Sequence, residues 1–408
     1  MLDVNKIRND FPMLKNNPDF IYFDSSATSF KPQSVIDKVN NYYCFENTNI
    51  HRGDYTLSHK ISTEYDDVRK LVAEFINADS EKQIVFTSGD SASLNTIALS
   101  YCLNNLKKGD VILTSLLEHA SNILPLFKVA QKTGAVIEYI PLNDDGTFNM
   151  ENYEKCFENS NIKFVSITQV SNVLGYINPI KQICEIAHKH NAIVSVDAAQ
   201  SVPHIKVDVK DMDCDFLSFS SHKMLGPAGI GVLYGKYELL ESIEPLFYGG
   251  GSNARFEKDG SIILQKVPER FEAGTPNVEG VLGLGEAIKY LNEVGMENIQ
   301  KHDHDLAEYF IEKLSKLDNV EIYNPKADLC IISFNVKGIF AQDAASYFNK
   351  CGVAVRTGNH CAKILHNVIN VNETIRASLY LYNSKEEIDR FIEVVKETTL
   401  EKCVDSVL

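Results

Sequence analysis

Short apolar runs alternate with helical patterns of apolar and polar residues through most of the chain. The runs have the length and the Val, Ile and Phe content of buried strands, and they lie at residues 83–86, 110–114, 136–140, 164–168, 193–197, 216–219 and 231–234. Helix-like segments such as 122–133 and 179–190 lie between them. Such alternation predicts an α/β fold with a mostly parallel, seven-stranded sheet that helices cover on both faces.

The pattern changes after about residue 280. Two long helical patterns, at 281–293 and 297–316, precede candidate strands at 320–323, 330–336 and 354–356 and a final helix from 385 to about 404. This order predicts a smaller α+β domain. The segment 272–280 holds Gly274, Pro276 and Gly280, which is typical of a domain boundary. We therefore expect a large domain over residues 18–275 and a small domain made of residues 1–17 and 276–408.

Composition and charge narrow the class of protein. The chain has 408 residues and a net charge of −15, which disfavours nonspecific binding to nucleic acid. Its first residues lack the apolar core of a signal peptide, and no run approaches the roughly 18 apolar residues of a membrane helix. Nine scattered cysteines without a C-x-x-C pair argue against a disulfide framework or a zinc ribbon. We expect a soluble cytoplasmic protein that has no metal site and binds neither membrane nor nucleic acid.

One lysine has unusual surroundings. Residues 220–231 read S-S-H-K-M-L-G-P-A-G-I-G, so Lys223 lies between an apolar strand and a glycine-rich stretch. A lone lysine is usually solvated, but these flanks predict burial, and a buried amine with a lowered pKa suits Schiff-base chemistry. Asp197 ends the preceding strand, where ligands bind in α/β proteins. It either caps the following turn or holds a protonated pyridine nitrogen, as in sites for pyridoxal phosphate (PLP).

A candidate anion site lies earlier in the chain. Residues 86–95, F-T-S-G-D-S-A-S-L-N, end a strand and begin a helix. Gly89, Ser91 and the free N–H groups of a helix start suit a phosphate, and Ser220 and His222 can add donors. The same residues are also typical of ordinary helix capping.

Several long motifs carry a family resemblance. They are V-D-A-A-Q at 196–200, S-S-H-K-M-L-G-P-A-G-I-G-V-L-Y-G at 220–235, H-R-G-x-x-T-L-S at 51–58, V-S-N-V-L-G at 170–175, R-F-E-A-G-T-P-N at 270–277, R-T-G-N-H-C-A at 356–362 and R-A-S-L at 376–379. Over about residues 21–395 the chain resembles class V aminotransferase-fold enzymes. Within that class it resembles the group II cysteine desulfurases of the SUF iron–sulfur assembly system. The resemblance implies the type I fold of PLP-dependent transferases.

The resemblance also implies roles for single residues. Lys223 would bind PLP covalently and later move protons, Asp197 would pair with the pyridinium nitrogen, Gln200 would face the phenolic oxygen, and His119 would stack on the ring and assist proton transfer. Ser220, His222 and Ser91 would hold the phosphate. Thr275 would reach the phosphate of a neighbouring subunit, which implies a homodimer. Asn172, Arg376, Arg356, His51 and Arg52 would bind the substrate, and Cys361 would accept its sulfur.

Two of these roles also have a physical basis in the sequence. An arginine fork matches a carboxylate bidentately, although Arg376 taken alone also fits a surface ion pair. Cys361 follows His360 and lies five residues after Arg356, in an apparent loop, and cationic neighbours favour a thiolate. The other eight cysteines mostly occupy apolar patterns, which predicts that they are buried.

The sequence departs from the family at two places. The usual R-G-T-T-E is S-G-D-S-A at 88–92, which places the carboxylate of Asp90 near an anion and replaces a glutamate by Ala92. Asp90 either caps the helix and points away, which we favour, or faces the phosphate and weakens PLP binding. The usual second histidine after His119 is Ala120.

The function that we expect is conversion of L-cysteine to L-alanine with a persulfide on Cys361, for transfer to a SUF-type acceptor protein. The alternatives are a selenocysteine lyase, a PLP transaminase, epimerase or lyase without persulfide chemistry, and a non-catalytic scaffold of the same fold.

Overall fold

A seven-stranded sheet forms the centre of the larger part of the chain, in a computed structural model that describes residues 2–51 and 53–407. Across the sheet the strands are Ile84–Thr87, Gly231–Gly235, Phe216–Ser220, Ile193–Asp197, Ile162–Thr168, Val111–Ser115 and Val136–Ile140. Gly231–Gly235 is antiparallel to both of its neighbours, and the other neighbouring pairs are parallel. The predicted α/β architecture is confirmed.

Both faces of this sheet are covered. Phe164 and Phe216 pack into one hydrophobic cluster, whereas the next residues, Val165 and Leu217, pack into another on the opposite face. The longer helices of this part are Gln33–Asn41, Thr56–Phe75, Asp90–Thr96, Ala120–Thr133, Met150–Asn159, Ile180–Lys189 and Val278–Val294. Because successive side chains of a strand point to opposite faces, continuous apolar runs are what a doubly covered sheet requires.

A second core lies around a smaller antiparallel sheet. Within the described ranges its strands are, in order, Val320–Ile322, Ile331–Val336, Thr374–Ser378 and Arg356–Gly358. The accompanying helices are Met296–Leu314, Ala341–Lys350, Lys363–Val368, Lys385–Lys396 and Leu400–Val407. Thr374–Ser378 is buried along its whole length and was not among the predicted strands.

Two predicted elements are divided in the structure. The expected strand at 354–356 is two strands: Val353–Ala354 pairs with Ile21–Tyr22, and Arg356–Gly358 pairs with Thr374–Ser378. The expected final helix is broken after Lys396. There Thr398 Oγ1 donates to the Val394 carbonyl (2.7 Å), and Thr399 Oγ1 accepts from Lys402 N (3.3 Å). Two adjacent threonines thus end one helix and start the next.

The two cores do not follow the chain order closely. Ile7, Phe11 and Leu14 pack into the larger core together with the helix Val278–Val294, although we expected both segments in the small domain. Ile21 and Phe23 pack into the smaller core. The exact domain boundaries stay a prediction, but the N-terminal segment contributes to both cores.

Two further features concern the surface. A hairpin of Asn253–Phe256 and Ile262–Leu264 exposes Phe256 and Ile263, which are 72% and 59% accessible. Within residues 2–51 and 53–407, no helix has the length and apolar character needed to cross a bilayer.

Candidate active site

A cavity of about 220 Å³ lies between the edge of the larger sheet and the smaller core. Thr168, Asp197 and Ser220 each end a strand of that sheet, and all three line the cavity. They converge because these neighbouring strands are parallel, so that their carboxyl ends share one edge. Of the predicted site residues that the structure describes, the following line the same cavity: Ser91, His119, Asn172, Asp197, Gln200, Ser220, His222, Lys223, Arg356, Cys361 and Arg376.

Lys223 ends a short helical turn, Ser221–Lys223, that directly follows a sheet strand. The next residues, Met224 and Leu225, are fully buried and anchor the turn. Burial lowers the pKa of Lys223, although Asp197 and Asp90 act in the opposite direction. The lowered pKa agrees with the sequence prediction and makes the free amine more available.

His222 precedes Lys223 and is held uncharged. Burial, then Lys223 and Lys31, lower the pKa of His222 to about 4. Near neutral pH its ring is therefore a neutral donor and acceptor rather than a cation.

Asp197 caps the following turn, which is one of its two expected roles, and its place at the cavity leaves the second role open. One carboxylate oxygen, Oδ1, accepts from Ala199 N at 3.0 Å, so that Asp197 does cap the following turn. The residue also lines the cavity. Nearby, Gln200 Nε2 donates to the Ser26 carbonyl (2.9 Å), while its Oε1 is buried without a hydrogen-bond partner among the described residues.

His119 caps the helix Ala120–Thr133. Its Nδ1 accepts from Ser121 N at 3.1 Å, so the neutral ring carries its proton on Nε2. Burial, then Lys223, lower the pKa of His119. The Ser121 hydroxyl is 2.7 Å from that of Ser91, which brings the two helix starts together at the cavity.

Contrary to the favoured expectation, Asp90 does not cap its helix and does not point away from the cavity. Gly89 occupies the cap position, so Asp90 is the first residue of its helix and its side chain turns into the cavity. Its Oδ1 has no partner within the described part of the chain. Burial and then Asp197 raise the pKa of Asp90 to about 8, against weaker opposing effects of Ser218 and Lys223. Asp90 is thus a mostly protonated acid near neutral pH.

Arg376 forms part of the opposite wall and is not a surface residue, being 2% exposed. It donates to the Asn172 carbonyl (2.9 Å) and to Asp24 Oδ1 (3.0 Å), and its Nε is unpaired among the residues described. Arg356 is its direct cross-strand partner and also lines the cavity. Sequence reasoning missed Asp24; the signal was the run of small polar residues, D-S-S-A, after the strand Ile21–Tyr22.

Cys361 lies in the loop between the strand Arg356–Gly358 and the helix Lys363–Val368. It and Cys44 are exposed, whereas most of the other cysteines are buried, as predicted. His360 and Cys361 both have positive φ, 48° and 57°, a conformation that costs roughly 1–2 kcal/mol per residue. Asn172 Nδ2 donates to the His360 carbonyl (2.9 Å) and Ala120 N to the Cys361 carbonyl (2.7 Å). These two bonds fasten the loop to the larger domain.

The expected cationic role of His360 beside Cys361 is wrong. His360 is 5% exposed, and burial, followed by Arg376, His366 and Arg356, lowers its pKa to about 2. The ring is therefore neutral. Adjacency in the sequence suggested a charge that burial removes.

Two predicted residues lie away from this cavity. Thr275 is exposed and lines a separate cavity of about 330 Å³ beside Tyr65 and Phe247. His51 is also exposed, and its ring packs edge-on against Tyr65, with 6.0 Å between centroids. Both residues therefore lie near the buried Tyr65. Arg52 lies outside the described residues.

Comparisons with known proteins show the family of the chain. The family model described as aminotransferase class-V matches residues 21–391. The chain is 43% identical to a probable cysteine desulfurase of Halalkalibacterium halodurans, over 97% of this chain and 98% of that one. It is 39% identical to a cysteine desulfurase of Haloferax volcanii, over 97% and 96% of the two chains.

Solved structures give the same result. The apo structure of a cysteine desulfurase from Thermococcus onnurineus NA1 superimposes with a TM-score of 0.93 and 39% identity, over 97% of this chain and 98% of that one. The cysteine desulfurase CsdA from Escherichia coli gives a TM-score of 0.91 and 32% identity, over 99% of each chain. The likeness therefore extends across both cores.

Proposed function

We propose that this chain, which belongs to the aminotransferase class-V family and within it to the cysteine desulfurases, is a PLP-dependent enzyme that converts L-cysteine to L-alanine. The removed sulfur would remain on Cys361 as a persulfide. The observation that carries the proposal is that one cavity holds both Lys223, an amine of lowered pKa, and Cys361, an exposed thiol on a fastened loop.

The residues of the cavity fit PLP. Buried polar atoms normally have hydrogen-bond partners, yet Asp90 Oδ1, Gln200 Oε1 and Arg376 Nε have none within the ranges that the structure describes. Each belongs to a residue that lines the cavity. Unpaired polar atoms on several walls indicate a polar ligand between them. An amine and a strand-end carboxylate are the pair that a pyridine aldehyde requires.

When bound, PLP supplies an electron sink that stabilises negative charge at the α-carbon of an amino acid. Lys223 would hold it covalently, Asp197 would pair with its ring nitrogen, and His119 would stack on the ring. Gln200 would lie beside its phenolic oxygen. Ser91, Ser220 and His222 would hold its phosphate, for which the neutral His222 offers a donor.

On the substrate side, Arg376 would bind the carboxylate with Asn172 and Arg356. Lys223, once free, would take the proton from the α-carbon and return it, since burial lowers its pKa. The Cys361 thiolate would attack the substrate sulfur, so that an S–S bond forms while the bond from sulfur to carbon breaks. Protonation of that carbon would give the methyl group of alanine.

We also propose a homodimer. Thr275 and His51 are both exposed, near Tyr65 and away from the cavity of their own chain, and Phe247, 66% exposed, lines the same separate cavity as Thr275. A second copy on this face would cover exposed apolar surface and bring Thr275 to the partner's phosphate. We place the enzyme in the cytoplasm, because free thiols suit a reducing compartment. The short Cys361 loop, which resembles group II enzymes, favours a SUF-type protein as sulfur acceptor.

The test compares Cys361→Ala with Cys44→Ala, which removes the other exposed cysteine. The first variant should bind PLP and cysteine but release no sulfide and no alanine, because no other described cysteine lines the cavity. Cys44→Ala should behave like the wild type. After brief exposure of the wild type to cysteine, mass spectrometry should find one added sulfur on Cys361.

Three results would contradict the proposal. Added sulfur on another cysteine, or sulfide release by Cys361→Ala at the wild-type rate, would favour a PLP lyase or transaminase. Selenium release from selenocysteine much faster than sulfide release from cysteine by the wild type would favour the lyase that acts on selenocysteine.

A further inference from the structure

A chain of three buried side chains lies behind Cys361. His360 Nε2 is 2.9 Å from Thr374 Oγ1, and His366 Nε2 is 3.2 Å from the same oxygen. His366 Nδ1 is 3.1 Å from the Ala362 carbonyl. Thr374 and His366 are fully buried. We propose that this network holds the Cys361 loop in a fixed position relative to Arg376. Thr374 and His366 are then positioning residues for sulfur transfer. The proposal rests on the proposed function.

The direction of each hydrogen bond follows from the Ala362 carbonyl, at one end of the network. The Ala362 carbonyl can only accept, so His366 Nδ1 carries the proton and His366 Nε2 accepts from the Thr374 hydroxyl. That hydroxyl has one hydrogen, so its oxygen must accept from His360 Nε2–H. The network therefore requires a neutral His366 with its proton on Nδ1 and a proton on His360 Nε2; when both rings are neutral, they hold opposite tautomers.

The charges around the network favour this state. Burial is the main cause that lowers the pKa of both histidines. Arg376, His366 and Arg356 lower that of His360 further, and Lys363 lowers that of His366. Hydrogen bonds with the backbone of Thr374, for His360, and with the Ala362 carbonyl, for His366, act in the opposite direction.

The network gives a second connection between the loop of Cys361, the proposed nucleophile, and Arg376, the proposed carboxylate-binding residue. Thr374 and Arg376 are two residues apart on one strand, so their side chains share a face. Asn172 accepts from Arg376 through its carbonyl and donates to the His360 carbonyl through its side chain. Arg376 is thus tied to the loop on one side through Asn172 and on the other through Thr374 and His360.

This arrangement explains how the Cys361 loop keeps an unfavourable backbone conformation. His360 and Cys361 are non-glycine residues at positive φ, which persists only where surrounding contacts impose it. The strand Arg356–Gly358 that leads into the loop is at the edge of its sheet, so the ladder holds it from one side. Side-chain contacts must supply the rest of the positioning.

The test uses the PLP-loaded chain with Thr374→Val, which keeps the shape but removes the hydroxyl, and Thr374→Ser, which keeps the hydroxyl. A misplacement of about 1 Å at a reacting group can cost about a hundredfold in rate. We therefore expect Thr374→Val to lower kcat at least about tenfold with the KM for cysteine within about twofold, and Thr374→Ser to stay within about twofold in both.

A second readout does not need turnover. In a Cys44→Ala background, we measure how the rate of Cys361 alkylation by iodoacetamide depends on pH. This pH profile should differ from that of the wild type in Thr374→Val and match it in Thr374→Ser. The proposal is overturned if Thr374→Val matches the wild type in kcat and alkylation, or if Thr374→Ser loses as much as Thr374→Val, since packing would then explain the effect. A wild type that makes no alanine from cysteine would reject the proposed function, while the alkylation result would still judge the network.

If Thr374→Val does not fold, the wild type itself decides. NMR of ¹⁵N-histidine-labelled enzyme, assigned with His360→Asn and His366→Asn, should show the Nε2–H tautomer for His360 and the Nδ1–H tautomer for His366. Any other pair of tautomers would break the hydrogen-bond directions and overturn the proposal.

Discussion

One wall of the cavity is formed at the ends of parallel strands, whereas the Cys361 part of the opposite wall is a loop at a sheet edge. Asp197 and Ser220 are the last residues of interior strands, and Lys223 follows one turn later. Cys361 follows an edge strand and has positive φ. Backbone ladders hold the first wall, and hydrogen bonds from side chains hold much of the second.

This difference separates two kinds of sensitivity. On the strand-end wall, a substitution should remove the chemistry of one side chain and leave its neighbours in place. On the loop wall, a substitution should also change where other groups lie. Substitutions on the two walls test that division.

Lys223→Ala should abolish activity while leaving the fold intact. It removes the proposed covalent anchor and proton carrier together, so alanine formation should fall by at least about a thousandfold. Bound PLP should be lost on gel filtration, and the thermal midpoint should change little. The matched control is Lys289→Ala, whose lysine side chain is 64% exposed. Near-normal turnover in Lys223→Ala would reject the role of this residue.

Arg376→Lys should chiefly weaken cysteine binding. Lysine keeps the charge but lacks the fork that grips a carboxylate, and such charge-assisted bonds contribute about 1.5–3 kcal/mol, or roughly 10- to 150-fold in affinity. Steady-state kinetics should show this rise in KM, together with a smaller fall in kcat because the contact with Asn172 is lost. Arg255→Lys, at a side chain 71% exposed, is the control. An unchanged KM would remove Arg376 from the substrate site.

Asp90→Asn should alter how the stability of the PLP-free protein depends on pH. The folded wild type keeps the Asp90 proton up to pH about 8, whereas the unfolded chain releases it near its ordinary pKa of 3.8. The wild type therefore loses stability as pH rises through this window. Asparagine has no proton to lose, so the variant should gain on the wild type by up to about 1.4 kcal/mol per pH unit.

Urea unfolding at several pH values between 5 and 8 measures this difference, with Asp19→Asn as an exposed control. A difference between variant and wild type that does not change with pH would show that Asp90 is ionised in the folded protein. Asp90 would then face the cavity as a charge.

The sequence predicts the strand-end wall better than the loop wall. Lys223 and Asp197 stand next to long apolar runs, which mark the strands that carry them. Thr374–Ser378 has no such mark, because T-I-R-A-S buries polar side chains that only tertiary contacts can satisfy. For the same reason the predicted positive charge of His360 is wrong. The sequence also gives no sign that Thr374 and His366 matter.

Asp24 shows a second limit of the sequence. Its partner Arg376 is 352 residues away, and adjacent letters carry no information about such a pair. Family motifs placed Arg376 in the site, but its ion pair becomes visible only when the N-terminal segment is seen to run between the two cores.

That pairing also sets the order in which the site can form during synthesis. Chains fold from the N-terminus as they are made, and the larger sheet, which ends at Gly235, can assemble early. Asp24 and the strand Ile21–Tyr22 must wait for Arg376 and for Val353–Ala354. In a nascent chain, Lys223 can thus reach its final position well before the thiol of Cys361 does. If Lys223 and Cys361 have the roles proposed for them, the residues that bind the cofactor come together before the thiol that accepts sulfur is positioned, because contacts of such long range form only after most of the chain is made.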